Sequence, residues 1–182
     1  MNKKAVRRVI AERLNRLENR QERERRIAEQ LFVLPEWMSA TSIAVTLSFR
    51  NECSTDRVIQ QAWADGKRVV IPKVIGQEMR FFEHSPSSRL IENSMGIFEP
   101  DATAFEIALP TIDLCIVPGR AYMRNGYRLG WGGGFYDRAL IDFSGPTLSI
   151  AFAVQVVERF EVESFDRPVD TIVTEDEVIQ CH

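Results

Sequence analysis

Residues 43–71 read IAVTLSFRNECSTDRVIQQAWADGKRVVI and predict the core of the sheet. This stretch begins and ends with a short apolar, β-branched run, the pattern of a buried strand. Between the two runs, apolar residues from Val58 to Trp63 recur at helical spacing, and Gly66 ends the predicted helix. A strand, a helix and a strand in this order form a βαβ unit, whose strands are parallel and whose crossover is right-handed.

Two amphipathic helices are predicted ahead of this unit. Apolar residues between positions 6 and 17 follow steps of three and four, which predicts the first helix. The second helix carries apolar residues at 27–34 and ends at Pro35. Asn19, with Glu22 three residues later, is predicted to cap it.

More strands are predicted on the C-terminal side. Residues 79–84 indicate an exposed strand, antiparallel and at an edge of the sheet, while 113–117, 148–154 and 169–174 are apolar strand segments. Alternating strands and helices predict a single domain, residues 1–182, with a three-layer, Rossmann-like α/β/α fold. Its central sheet is expected to be mostly parallel with a mixed edge, and the N-terminal helices are expected to pack on it.

Composition limits the classes of protein that this chain can belong to. With 45% hydrophobic and 27% charged residues it reads as a soluble globular protein, and its apolar runs are too short to cross a bilayer. We therefore expect a cytoplasmic protein without a membrane partner. Three scattered cysteines argue against disulfides and a thiolate metal site, and two histidines are too few for a zinc cluster.

Charge is concentrated in a basic N-terminal arm, residues 1–35, which we assign to the same domain. Its first 26 residues hold ten basic and four acidic side chains, a net charge of +6, so the remainder of the chain carries −9. A basic helix can bind nucleic acid. However, those 26 residues contain no aromatic side chain for base stacking, and the acidic remainder would repel a polyanion. We predict no nucleic-acid partner; a solvated helical face is the alternative for these charges.

Half of the chain's 10 glycines lie in one segment, residues 126–138, which reads GYRLGWGGGFYDR and is called the glycine segment below. Residues 135–143 follow with helical spacing and stop at Gly145-Pro146, so the segment leads into a helix N-terminus. Free amides and the helix dipole attract phosphate there. Asp137, in the first turn, is placed to hold Mg²⁺ against such phosphates. The alternative is a surface loop that only connects two elements.

Other candidate residues follow the ends of predicted strands. Glu52 comes after the first strand, and Pro118-Gly119 follows the strand at 113–117. Ligands of open α/β sheets bind beyond the carboxyl ends of the strands. We therefore expect Glu52, Pro118-Gly119 and the glycine segment to share one rim of the sheet.

The glycine segment closely resembles the signature of the 5-formyltetrahydrofolate cyclo-ligase family, and the resemblance extends over almost the whole chain in the expected order. The other matching positions are Lys3 with Arg7, Glu52 with Thr55, Gly66-Lys67, Gly96-Ile97, Glu99-Pro100, Val117-Pro118-Gly119 and Val169-Asp170. One departure is Met95, which stands where an aromatic residue commonly packs on the pterin; a flexible thioether can replace that ring.

This resemblance implies an enzyme that uses ATP and Mg²⁺ to convert 5-formyltetrahydrofolate to 5,10-methenyltetrahydrofolate, releasing ADP and phosphate. The formyl oxygen is phosphorylated, and N10 then attacks the activated carbon. Phosphoryl transfer needs positioning and charge neutralisation more than a protein nucleophile. The implied partners are small molecules, and a monomer is expected. A regulator that binds folate or nucleotide without turnover is the alternative from another class.

The resemblance also assigns roles to residues. Lys3, Arg7 and Arg128 are the implied catalytic residues, and Asp137 and Asp170 the implied metal ligands. The alternatives are an ordinary acidic turn for Asp170, an ion pair for Arg128, a first-turn helix charge for Asp137 and an inert loop acid for Glu52. Aromatic residues at helical spacing are more often core. The implied ATP-binding residues are Lys3, Lys4, Arg7, Arg128, Leu129, Gly130, Trp131, Gly132, Gly133, Gly134, Phe135, Tyr136 and Asp137. The implied substrate-binding residues are Glu52, Met95, Tyr127, Gly132 and Tyr136.

Overall fold

A computed structural model describes residues 2–181 of the chain. The helices are α1 (Lys3–Asn15), α2 (Arg20–Phe32), α3 (Pro35–Ser39), α4 (Asp56–Ala64) and α5 (Phe135–Ala139). The strands are β1 (Ser42–Val45), β2 (Arg68–Ile75), β3 (Glu78–Glu83), β4 (Leu90–Glu92), β5 (Phe98–Pro100), β6 (Glu106–Ile107), β7 (Leu114–Ile116), β8 (Ala121–Tyr122), β9 (Arg128–Leu129), β10 (Thr147–Ile150), β11 (Thr171–Val173) and β12 (Val178–Gln180).

Eight strands form the main sheet, in the order β12-β11-β10-β7-β1-β2-β3-β6. The five strands from β11 to β2 are mutually parallel, and β12, β3 and β6 pair antiparallel at the two edges. Ile43 lies opposite both Val69 and Leu114, so β1 is central. The predicted α/β fold with a mostly parallel, mixed-edge sheet is confirmed. The edge position predicted for β3 is wrong, because β6 pairs with its outer side.

The core has two layers, one on each face of the sheet. Ile43 and Val45 of β1 point to one face, where they join buried residues of α1, α2 and α4. Ala44 points to the other face and joins a second cluster that includes Tyr122 and Leu140. Because side chains alternate along a strand, each face of β1 is apolar and both are covered. The predicted packing of the N-terminal helices on the sheet is confirmed.

The ends of the N-terminal helices differ from the prediction. Asn19 does precede α2, but its backbone is left-handed (φ 54°) and its side chain makes no capping bond with any described residue. The predicted capping box is therefore wrong. Helix α2 ends at Phe32, and Pro35 is the first residue of the short helix α3. Proline is tolerated in the first turn of a helix, because backbone N–H groups there make no intrahelical hydrogen bond and the missing one is not needed.

The helix after the glycine segment is much shorter than predicted. The spacing indicated residues 135–143, whereas α5 ends at Ala139 and continues as a single 3₁₀ turn, Leu140–Asp142. A helix of one turn contributes only a small dipole. Attraction for an anion at this place must therefore come chiefly from side chains and from loop amides.

The glycine segment begins in the return half of a hairpin, which ends at Leu129. Strands β8 and β9 pair antiparallel, and the turn between them contains Gly126. Gly126 has φ 88°, and a Cβ atom there would lie 2.2 Å from the backbone oxygen of Val169. This first glycine of the segment is thus required by the fold.

Within residues 2–181, the structure has no helix long and apolar enough to cross a membrane.

Candidate active site

The carboxyl ends of β1, β7 and β10 open onto one pocket. Its lining includes Thr46, Glu52, Pro118, Gly119, Tyr122 and Gln155. Gln155 is buried, and its Nε2 donates to the carbonyl oxygens of Gly119 and Arg120. The Pro118-Gly119 turn and Glu52 therefore lie on one rim, as predicted. The glycine segment joins them, because Nε1 of Trp131 donates to Glu52 Oε1 over 2.9 Å.

Glu52 is held from both its backbone and its side chain. Arg20, on α2, donates through Nη2 to the carbonyl oxygens of Asn51 (2.9 Å) and Glu52 (3.1 Å). The Glu52 carboxylate accepts from the Phe49 N–H at 3.0 Å and from Trp131. Both donors to the carboxylate are neutral. The carboxylate is thus fixed at the pocket while its negative charge is not cancelled by an ion pair among the described residues.

Arg128 is the most unusual side chain of the site. It lies on β9, its side chain is only 3% exposed, and its Nη1 lies 3.1 Å from Asp137 Oδ1. Its Nε and Nη2 are buried without a hydrogen-bond partner among the described residues. Buried polar groups are rarely left without a hydrogen-bond partner, because losing contact with water is then uncompensated. Two unused N–H groups of one guanidinium are the geometry that grips a carboxylate or phosphate oxygen pair.

Tyr136 forms the wall beside this guanidinium. The Arg128 Cζ lies 5.9 Å from the centre of the Tyr136 ring, and the Tyr136 hydroxyl bonds to Thr46 Oγ1 at the end of β1. Burial raises the pKa of the Tyr136 phenol, so it remains protonated at neutral pH. Tyr136 therefore fixes α5 to the rim and leaves its ring against Arg128.

Asp137 has one oxygen engaged and one available. Oδ1 accepts from Arg128 and, at 3.1 Å, from the backbone N–H of Arg167, whereas no hydrogen bond among residues 2–181 uses Oδ2. In that same part of the chain, no group of three or more His, Cys, Asp or Glu side chains could hold a metal ion. A single carboxylate fits Mg²⁺, which keeps several waters and takes its other ligands from substrate phosphates.

Lys3 and Arg7, the predicted basic pair on α1, contact different parts of the chain. Arg7 donates through Nε to the Gly130 carbonyl oxygen (2.9 Å), so it reaches the glycine segment. Lys3 instead pairs with Glu163 (2.6 Å) and Asp166 (2.9 Å). Partial burial works against the charge of Lys3, but these two hydrogen-bonded carboxylates outweigh it and raise the pKa of its ammonium. Lys4 is exposed to solvent.

The remaining residues of the glycine segment have distinct surroundings. Gly132 has φ 107°, a conformation that side chains rarely adopt, and its Cβ position faces the Arg7 Nη2 at 3.6 Å. Leu129 is buried in the core, and Trp131 is half-exposed. Arg138 lies over the Phe135 ring and donates to the Gly133 carbonyl, which together with Gly134 forms the entry to α5. The part of the segment from Gly130 to Gly134 is thus the part that faces the basic side chains.

Three predicted residues are not brought to this rim. Tyr127 packs against the core on the α1 face of the sheet. Met95 lies in the turn of the β4–β5 hairpin and is 68% exposed. Asp170 stands at the amino ends of β10 and β11, where its Oδ2 accepts from both the N–H and the hydroxyl of Thr147 at 2.8 Å. That is the end of the parallel strands opposite to the pocket.

Sequence reasoning missed Arg120 and Arg50. Arg120 is 6% exposed, donates to Asn51 Oδ1 (2.9 Å) and stacks on Trp131, with its Cζ 4.4 Å from the ring centre. Burial lowers the pKa of the Arg120 guanidinium. Its position directly after Pro118-Gly119, at the end of a buried strand, was a usable signal. Arg50 offered none, because its left-handed backbone (φ 56°) is not visible in the sequence.

Comparisons with known proteins identify the family of this chain. The model of the 5-formyltetrahydrofolate cyclo-ligase family matches residues 1–175. The 5-formyltetrahydrofolate cyclo-ligase of Escherichia coli K12 is 34% identical over 168 residues, which cover 88% of this chain and 92% of that protein. The Haemophilus influenzae cyclo-ligase is 31% identical, with 82% and 84% covered. The solved structure of Aquifex aeolicus 5,10-methenyltetrahydrofolate synthetase superposes with a TM-score of 0.84 at 32% identity, covering 99% of this chain and 93% of that one.

Proposed function

Because the chain belongs to the 5-formyltetrahydrofolate cyclo-ligase family, we propose that it closes the ring of 5-formyltetrahydrofolate to give 5,10-methenyltetrahydrofolate, using ATP and Mg²⁺. The observation that best supports the ATP-dependent chemistry is Arg128, a buried guanidinium with two unpartnered N–H groups beside Asp137. An oxyanion at this place would satisfy both groups, and a phosphoryl group is the oxyanion that the reaction supplies.

The chemistry requires activation of a poor electrophile. The carbonyl of an N-formyl amide is weakly electrophilic, and its oxygen is a poor leaving group. Transfer of the γ-phosphoryl group to the formyl oxygen forms an O–P bond and releases ADP. Attack by N10 on the formyl carbon then forms the C–N bond, N10 loses its proton, and phosphate leaves with that oxygen. The protein's contribution is to align the reactants and stabilise charge. We propose that Arg128 stabilises charge on the transferring group.

Basic side chains and loop amides are proposed to bind the remaining phosphates of ATP. Arg7 already contacts the glycine segment, and Lys3 lies on the same face of α1 one turn earlier. In this proposal Lys3 exchanges its carboxylate partners, Glu163 and Asp166, for phosphate oxygens. The other proposed contacts are Lys4, Leu129, Gly130, Trp131, Gly132, Gly133, Gly134, Phe135, Tyr136 and Asp137.

Asp137 is the proposed Mg²⁺ ligand, through the oxygen that no described residue occupies. When bound, the ion neutralises charge on the phosphates. The chain's own contribution is to orient the carboxylate, which Arg128 and the Arg167 N–H do from one side. Asp170 stays a prediction, and its two bonds from Thr147 supply a structural role that can be tested separately.

Glu52 is the proposed contact for the folate. Its carboxylate is an acceptor, and the pterin and formamide region of the substrate presents N–H donors to such a group. Gly132 and Tyr136 are proposed to line the same space. Tyr127 and Met95 remain predictions, since one packs in the core and the other lies on an exposed turn.

We also propose a cytoplasmic monomer that does not bind nucleic acid. Several arginines of the basic arm are engaged within the chain: Arg23 pairs with the buried Glu175 at 2.6 Å, and Arg25 pairs with Glu22 at 2.6 Å. Charges committed to internal ion pairs are less available for a polyanion. These ion pairs support the proposed lack of nucleic-acid binding; they do not bear on the oligomeric state or the location of the protein.

The direct test uses purified protein, 5-formyltetrahydrofolate, ATP and Mg²⁺. We expect the absorbance of the methenyl product to rise, with one ADP released for each product molecule. Omission of ATP, or removal of Mg²⁺ by a chelator, should abolish the signal. Absence of both product and ADP under the complete conditions would defeat the proposal, and binding of folate without turnover would favour a regulator.

A further inference from the structure

Three arginines surround Trp131 on the Glu52 side of the glycine segment. The Cζ of Arg120 lies 4.4 Å from the centre of the indole ring and that of Arg50 lies 5.8 Å from it. Arg7 bonds to Gly130, the residue before Trp131. Burial is the main cause of the lowered pKa of Arg120; the charge of Glu52 opposes this shift, and the positive charges of Arg50 and Arg7 add to it. Arg50 and Arg7 are therefore both close enough to repel the Arg120 guanidinium.

The charge of Glu52 offsets part of this positive charge through space, without a direct ion pair. Among the ion pairs formed by residues 2–181, none involves Arg7, Arg50 or Arg120. Arg120 bonds to the neutral amide of Asn51, although its side chain is almost entirely buried. The nearby Glu52 uses its carboxylate oxygens for the Phe49 N–H and for Trp131.

The guanidiniums of Arg120 and Arg50 pack on aromatic rings and form no ion pair with a described acidic residue. Trp131 carries Arg120 and Arg50, and Arg50 also lies 4.8 Å from the centre of the Phe49 ring. The left-handed backbone of Arg50 (φ 56°), which is disfavoured for a residue with a side chain, accompanies this placement. Stacking on an aromatic face leaves the N–H edge of a guanidinium free to bind a planar or tetrahedral oxyanion.

We propose that Arg120 and Arg50, together with Arg7, form a second oxyanion site on the Glu52 side of the glycine segment. It is separate from the oxyanion position at Arg128, which faces Asp137 and Tyr136. The ligand class is a multiply charged oxyanion. Within the proposed reaction, on which this inference rests, two groups have that chemistry: the polyphosphate of the nucleotide and the glutamate carboxylates of the folate.

The test measures binding to Arg120→Leu, with each ligand titrated alone by calorimetry: ATP, tripolyphosphate and 5-formyltetrahydrofolate. A charge-assisted hydrogen bond in a buried place corresponds to roughly a 10- to 100-fold rise in Kd when it is removed. A rise for ATP and tripolyphosphate identifies the phosphates as the ligand. A rise for 5-formyltetrahydrofolate alone identifies its carboxylates. Unchanged Kd values for all three ligands, within about twofold, overturn the proposal.

Arg124→Leu is the matched control, because Arg124 lies on the same hairpin but is exposed and paired with Glu177 at 2.8 Å. It should leave all three Kd values unchanged, and a rise equal to that of Arg120→Leu would mean a non-specific charge effect and overturn the site. If Arg120→Leu fails to fold, the exposed Arg50→Leu replaces it. A roughly fivefold rise for the same ligand is expected there, and no rise overturns the proposal.

Binding and turnover separate this inference from the proposed function. A wild-type protein that makes the methenyl product while Arg120→Leu binds normally would refute the second oxyanion site alone. A protein that makes no product but loses oxyanion binding on substitution of Arg120 would refute the proposed reaction alone.

Discussion

Polar side chains at the two ends of the parallel strands differ in whether their hydrogen bonds are satisfied within the chain. At the amino ends, Asp113 Oδ2 accepts from the N–H and hydroxyl groups of Thr41 and Ser42, and Asp170 Oδ2 accepts from both groups of Thr147. At the carboxyl ends, Arg128 keeps two buried N–H groups without a described partner, and the Tyr122 hydroxyl is buried in the same condition.

This difference distinguishes polar groups that stabilise the fold from polar groups that are available to bind a ligand. A carboxylate that closes the gap between neighbouring strands has its hydrogen bonds supplied by the chain itself. Donors that a buried guanidinium leaves unused are costly to the folded state, and a bound oxyanion would satisfy them. Asp113, Asp137 and Asp170 each stand near the end of an element in the sequence, yet only Asp137 contacts the unsatisfied arginine.

The largest effect on activity is expected from Arg128→Leu. Removing a preorganised donor to a developing oxyanion should lower kcat/KM about 1,000-fold. Steady-state formation of the methenyl product measures this loss, and a far-ultraviolet circular dichroism spectrum like that of the wild type shows that the variant is folded. Retention of more than a tenth of the activity would mean that the unpartnered N–H groups are not used in the reaction.

Gly126→Ala tests the structural end of the same segment. A Cβ atom at φ 88° would meet the Val169 backbone oxygen at 2.2 Å, and backbone cannot yield as a flexible side chain does. We expect the free energy of unfolding to fall by about 3 kcal/mol in urea denaturation. Gly130→Ala is the control for stability, because no atom lies within 4 Å of its Cβ position. Equal stabilities of the two variants would show that Gly126 is not required by the fold.

Asp137→Asn tests the carboxylate beside Arg128. Loss of one charged ligand should lower Mg²⁺-dependent turnover about 100-fold, with partial recovery at higher Mg²⁺ concentration. Asp142→Asn is the matched control, since Asp142 is exposed and lies in the 3₁₀ turn that follows α5. Turnover like that of the control at every Mg²⁺ concentration would remove Asp137 from the metal site.

Asp170→Asn and Asp113→Asn should have the smallest effects, and these on stability. Each removes charge-assisted hydrogen bonds at the amino ends of the strands, so we expect a loss of about 1 kcal/mol in the free energy of unfolding. The Mg²⁺ dependence of turnover should not change in either variant. If Asp170→Asn instead raises the Mg²⁺ requirement while Asp113→Asn does not, Asp170 binds the metal as the family resemblance implies.

Acid unfolding sharpens the result for Asp113. Hydrogen bonds from Thr41, and then from Ser42, lower the pKa of the Asp113 carboxyl in the folded protein. A folded pKa below the unfolded value of about 3.9 means that its contribution is fully present above that pH and is lost as the pH falls through the folded pKa. The stability difference between the wild type and Asp113→Asn should therefore shrink below about pH 4. A difference that stays constant from pH 6 to pH 3 would contradict this assignment.

The parallel core and the position of the site could be predicted from the amino-acid sequence. Apolar runs such as Ile43-Ala44-Val45 and the helix between them specify a βαβ unit, because burial on both faces requires an unbroken apolar strand. The rule that ligands gather at the carboxyl ends of such strands then placed Glu52 and the glycine segment together. Short strands of two or three residues, such as β8 and β9, escaped prediction because they hold too few side chains to show a period.

Which charged groups have hydrogen-bond partners became visible only in the folded chain. Asp170 received the hydroxyl and N–H of Thr147 from a strand 23 residues away in the sequence, and Lys3 received acids from a distant loop. Arg128 received one partner and kept two unused donors, and Arg120 was buried beside two other arginines. Hydrogen-bond satisfaction depends on which distant groups the fold brings within about 3 Å. No local pattern of residues contains that information.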